Sequence, residues 1–186
     1  LRPVSGCTCT RGCTAGGRAF LARSNLWRDE IAFGRWLGDI KTENTVKAIV
    51  NLGPVDDPLM PDEASFADWD RRIARDVKSF FPVLKVAADD LAQGGVVIAA
   101  SAMGGVFARH AAADEPKAWP APAGNIGLMK CLSLEWTGCR FKAVDLDPAQ
   151  GLEAQAAALF SELFLPGGRR EVGYPAGVRT VFRTEP

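Results

Sequence analysis

The chain has 186 residues, 47% of them hydrophobic and 24% charged, with 22 basic side chains against 22 acidic ones. That is ordinary globular composition, one domain by length and long enough to bury a core. Balanced charge gives no electrostatic basis for holding nucleic acid or an anionic membrane, and no apolar run approaches the roughly 20 residues that span a bilayer.

Residues 1–17 are rich in Gly, Thr and Cys and show no periodicity, so they read as loop or frayed terminus. They also lack the apolar core of a signal peptide, so a cytoplasmic setting is expected. The opening at Leu1 reads as a segment of a longer chain. Residues 28–38 put Ile31, Trp36 and Leu37 on one side of a short helix, with Asp29 and Glu30 in its first turn. Val46–Leu52 is a short apolar run ending at Gly53-Pro54, a buried strand. A loop from Pro54 to Asp62 follows. Ala64–Leu91 has Phe66, Trp69, Ile73, Val77, Phe80, Phe81, Leu84 and Ala88 at helical steps, and Pro82 is expected to kink or split that helix.

Gly94-Gly95 turns the chain into a second strand, Val96–Ser101. Prolines 116, 120 and 122 make the stretch Ala111–Pro122 a loop. Gly124–Trp136 reads as helix, Phe141–Leu146 as a third strand, and Leu152–Phe164 as an Ala-rich amphipathic helix stopped at Pro166. Arg170–Tyr174 and Val178–Arg183 flank a turn at Pro175-Ala-Gly177 and read as a strand pair. Alternating strand and helix mean an α/β fold: a truncated Rossmann-like parallel sheet flanked by helices, with a C-terminal strand pair. Residues 1–40 form an unassigned lead, and 41–186 the domain. Ligands in such sheets bind beyond the carboxyl ends of the strands, here Asn51, Ser101 and Asp145.

Chemistry-bearing residues are few. Cys7, Cys9 and Cys13 supply three thiols with no histidine nearby, one ligand short of a zinc or iron–sulfur site, so no metal is expected. Cys131 reads as a small apolar residue packed on its helix. His110 reads as a loop residue, and no Ser-His-Asp or Cys-His set can be assembled. Asp145 and Asp147, two apart before Pro148, read as caps of a turn. Arg169, Arg170, Arg179 and Arg183 form a basic set that reads as a solvated edge or as a contact for an acidic partner. Gly12, Gly16 and Gly17 have the spacing of a phosphate turn. Such glycines serve only between a strand and a helix N-terminus, and residues 1–10 make a poor buried strand.

Several ordered stretches tie the chain together: Ile49-Val-Asn-Leu-Gly-Pro54, Arg75-Asp-Val-Lys-Ser-Phe80, Ala100-Ser-Ala-Met-Gly-Gly105, Gly124-Asn-Ile-Gly-Leu-Met-Lys-Cys-Leu-Ser-Leu-Glu-Trp136, Arg140-Phe-Lys-Ala-Val-Asp-Leu-Asp-Pro148, Glu171-Val-Gly-Tyr174 and Val178-Arg-Thr-Val-Phe-Arg183. Over about three quarters of its length the chain thereby resembles the ketoreductase region of type I polyketide synthases and related polyunsaturated fatty acid synthases, within the short-chain dehydrogenase/reductase superfamily. In that family the ketoreductase has two Rossmann-like halves. One is structural and truncated; the other binds NADPH and reduces the β-ketoacyl chain on a carrier protein. The Leu-x-x-Glu-Trp helix, the Asp-Leu-Asp-Pro exit and the Val-Gly-Tyr strand resemble the structural half.

The resemblance implies the catalytic serine at Ser101, the family's Lys or Asn at Lys78, and a Tyr and Lys four apart at Ala118 and Pro122. Neither of the last two can move a proton or anchor a ribose. The sole tyrosine, Tyr174, lies elsewhere, followed four residues on by Val178. Lys130 reads as a solvated helix lysine. No catalytic residue and no cofactor are therefore expected in this chain, with Gly12, Gly16, Gly17 and Asn51 the residual candidates for a nucleotide. The implied role is packing on, and stabilising, a catalytic NADPH-dependent half in the same polypeptide, with Leu152–Phe164 and the last strand pair as contact elements and an acyl carrier protein as a further partner. Two alternatives stay open: a divergent reductase that still binds NADP(H), and a free-standing module that docks a carrier protein.

Overall fold

A computed structural model describes residues 12–14, 17–19, 34–35, 38–39, 41–42, 45–55, 65–109, 118–167 and 170–182. The chain divides into two units, Leu1–Asn44 and Thr45–Pro186. In the first, β1 (Gly12–Thr14) and β2 (Gly17–Ala19) form an antiparallel hairpin with Thr14 opposite Gly17. The expected loop over 1–17 is corrected to that extent. A hairpin joined through two residues needs only a turn, and it leaves no apolar period to read. Of the helix expected over 28–38, residues 34–35 and 38–39 are helical; Ile31, Trp36 and Leu37 lie outside the described residues.

The second unit is built on a five-stranded sheet in the order β3 (Ala48–Asn51), β4 (Val96–Ser101), β5 (Arg140–Leu146), β6 (Glu171–Tyr174) and β7 (Thr180–Val181). The first four strands run parallel, and β7 returns antiparallel to β6. Every residue of β4 is buried, which explains why it reads as one apolar run rather than an alternation.

The long helical stretch is α1 (Phe66–Ile73), a π-turn (Ala74–Lys78) and α2 (Phe80–Leu91). Ser65 caps α1: its hydroxyl accepts the amide of Asp68, whose carboxylate accepts the amide of Ser65. The expected break is present, but it lies ahead of Pro82. That proline has no N–H for the carbonyl four residues back, and the ladder widens at that place: the Ser79 amide donates to Ala74 O. Phe80, Leu84, Ala87 and Leu91 are the buried stripe, whereas Phe66 and Phe81 face solvent.

The remaining helices are α3 (Ala123–Glu135) and α4 (Leu152–Phe164). Cys131 on α3 is exposed, which corrects its reading as a packed apolar residue. Cys139, ahead of β5, is the buried thiol, and burial pushes it up to about 11. Thiolate is the reactive form. Iodoacetamide at neutral pH should therefore modify Cys131 in the native protein and Cys139 only on unfolding, as read by peptide mass spectrometry.

The amphipathic reading of α4 holds for Leu159 and Leu163, which pack on the core beside Ala158, but not for its other side. Its buried residues are Ala158 and Glu162, while Leu152, Phe160 and Phe164 are exposed. The helix covers the sheet face carrying Ile98, Val144 and Val172, and Lys142 shares that face by strand alternation. Among the described residues no helix is long and apolar enough to cross a membrane.

Candidate functional site

The carboxyl ends of β3, β4 and β5 carry Asn51, Ser101 and Asp145, the positions where a sheet of this kind receives a ligand. Ser101 and Asp145 pair across the β4–β5 ladder. The Ser101 hydroxyl donates to Asp145 Oδ1 at 2.6 Å. The Met103 amide donates to the same oxygen at 2.8 Å, and the Phe107 amide to Oδ2 at 2.8 Å. Asp145 is fully buried; burial raises its carboxyl above the ordinary value, opposed by the donors from Ser101, Met103 and Phe107.

These bonds wrap residues 102–109 across the strand ends. Gly105 sits at φ +75° against Tyr174 and Pro175, and a Cβ on Gly173 would lie 1.8 Å from the Gly105 carbonyl oxygen. Arg109 lies over the Phe182 ring at 4.5 Å and pairs with Glu171 at 3.3 Å; Lys130 pairs with the other oxygen of Glu171. Where a ligand would approach β4 and β5, the chain's own loop is bonded and packed.

The other reductase positions do not converge on Ser101. Lys78 is exposed and pairs with Asp70 at 3.1 Å. Ala118 lies outside any helix, and Pro122 is the cap position of α3. The two positions share no helix: α3 begins at Ala123, and Pro120 between them lacks the N–H that would carry the helix back to residue 118. The buried Asn125 side chain donates to Asp76 O at 2.7 Å, joining α3 to the π-turn. Asp147 accepts from Ala149 N at 2.9 Å and Ala176 N at 3.0 Å, and so braces a turn without meeting Asp145's ligands.

Tyr174 lies in a different network. Its hydroxyl donates to Glu162 Oε1 at 2.8 Å, Lys142 Nζ donates to Oε2 at 2.7 Å, and Arg179 Nε donates to Oε1 at 2.6 Å. Arg179 and Arg170 are exposed, as expected of the basic set, but the Arg179 guanidinium is also tied to a buried carboxylate; Arg169 and Arg183 lie outside the described residues. Burial alone would raise Glu162, but hydrogen bonds from Arg179, Lys142 and Tyr174 outweigh it and hold the carboxyl below its ordinary value. Burial, then Glu162, pushes the Tyr174 phenol above 10. Such a phenol is a fixed hydrogen-bond donor and a poor proton source at neutral pH.

Sequence reasoning missed Glu162. The available signal was its position four residues after Ala158, on the buried stripe of α4. His110, Cys7, Cys9 and Gly16 lie outside the described residues.

NADP(H) is the cofactor that the sequence resemblance implies for such a sheet, and Gly12, Gly17 and Asn51 are engaged otherwise. Gly12 and Gly17 lie on antiparallel hairpin strands, not at a turn from strand to helix where amides would meet a pyrophosphate. The Asn51 side-chain carbonyl accepts from Gly53 N at 3.1 Å and closes the turn after β3. Among the described residues no three His, Cys, Asp or Glu side chains gather as a metal site.

The strand order, the helices on the sheet and the C-terminal antiparallel pair are those of the Rossmann-like short-chain dehydrogenase/reductase fold, and solved structures agree. A dehydrogenase/reductase from Sinorhizobium meliloti 1021 superposes with TM-score 0.57 and 24% identity, over 76% of this chain and 59% of that one. A multidomain structure of a keto acid-selecting NRPS module with adenylation, ketoreductase and pseudo Asub parts gives TM-score 0.65 at 15% identity, over 82% of this chain and 12% of that one. A 4-hydroxyisoleucine dehydrogenase, complexed with NADH and succinate, gives 0.59 at 13% identity, over 76% and 71%. The chain thus spans less than two thirds of the first two. No family model and no curated protein matches the sequence.

Proposed function

We propose that this chain is the non-catalytic structural subdomain of a ketoreductase in a type I polyketide or fatty-acid-like synthase. It would pack on the NADPH-dependent β-ketoacyl reductase half and stabilise it, with residues 41–186 as the working domain. The observation that carries this reading is the self-filled cleft. Ser101, which like Lys78 has the residue type of its reductase position, donates its hydroxyl to Asp145 beneath the chain's own loop. Ala118 and Pro122 replace the acid and its lysine, and the only tyrosine is bound to Glu162. The likeness to an NRPS module that contains a ketoreductase supports a multidomain setting. Whatever binds the folded chain also stabilises it by mass action, so a catalytic partner and this half would hold each other folded.

Titration of the purified chain with NADPH, followed by nucleotide fluorescence, tests the reading. No saturation by about 1 mM, the affinity of a contact worth only about 4 kcal/mol, is the expected result. Micromolar binding, or NADPH-dependent reduction of a β-ketoacyl thioester by the chain alone, would overturn it in favour of a divergent reductase.

A further inference from the structure

We draw no further inference here: the strongest candidate, the side-chain cluster at the head of α3 where the buried Trp119 Nε1 and Asn125 Oδ1 have no hydrogen-bond partner, belongs to the site already described, since Trp119 lies between the reductase positions Ala118 and Pro122 and Asn125 joins α3 to the π-turn there.

Discussion

Replacing Glu162 by Gln is expected to cost about 3–5 kcal/mol of folding stability, the range for removing one partner of a buried ion pair. For a chain of 186 residues, that corresponds to a fall in Tm of roughly 6–20 °C. Lys142 is 3% exposed and Glu162 fully buried. In the variant the Lys142 ammonium faces no carboxylate. The amide oxygen can accept from Lys142, or from Tyr174 and Arg179, and the NH2 then meets donors on the other side. The backbone carbonyls of residue 162 at 3.0 Å and Leu165 at 3.4 Å remain to Lys142. Tyr174→Phe should cost only about 1 kcal/mol, because it removes one neutral donor from a carboxylate that retains two cations. Replacing both members of the pair with apolar residues, Lys142→Met with Glu162→Leu, should recover much of the loss.

The pH dependence has a definite sign. Glu162 is held below its ordinary value of 4.5, so its contribution is complete above that pH and is lost as pH falls through the lower folded value. Asp145 runs the other way: burial raises it above 3.8, so its contribution is present at low pH and is lost as pH rises through the folded value. The Glu162→Gln variant should therefore lose part of the wild-type acid slope. Urea melts at several pH values measure both effects. A Glu162→Gln protein within about 1 kcal/mol of wild type at pH 7 would mean that Lys142 finds water on losing its partner.

The second large effect lies at the strand ends. Gly173→Ala would place a Cβ 1.8 Å from the Gly105 carbonyl oxygen and 3.0 Å from the Phe182 ring. Neither backbone can yield alone, since residues 102–109 are tied to Asp145 and Gly173 lies in the ladder between β5 and β7. The expected cost is about 3 kcal/mol, the upper range of overpacking. A specific signature should accompany it: faster amide exchange at Met103 and Phe107, whose N–H groups donate to Asp145. Gly127→Ala is the control. It lies on α3 with nothing within 4 Å of the added methyl, and should stabilise by up to about 1 kcal/mol. Equal effects at the two glycines would refute the close packing of the loop on β6.

Much of the architecture was legible. Runs such as Val96–Ser101 and Phe141–Leu146 can bury both faces only in a covered parallel sheet, and helical stretches between strands left few topologies. Gly53-Pro54 and Gly94-Gly95 marked real boundaries. What could not be read was which side of a helix faces the sheet when both sides are apolar. On α4 one side carries Leu159 and Leu163 and the other Leu152, Phe160 and Phe164, so the pattern alone does not choose between them. The structure packs Leu159 and Leu163 on the core with Ala158, and places the Glu162 carboxylate between Lys142 of β5 and Arg179 beside β7.

The same division holds for the candidate site. By itself the sequence determined the strand–helix order and the residues at the strand ends, because burial and backbone hydrogen bonding act along short stretches. It also determined that Ala118 and Pro122 cannot supply an acid and a lysine, and that Tyr174 is the chain's only phenol. Only the tertiary structure decided what Ser101, Asp145 and Tyr174 do. Their partners stand 44 residues apart for Ser101–Asp145 and 12 for Tyr174–Glu162. Such contacts follow from strand register and from the approach of Gly105 to Gly173, and local propensity encodes neither.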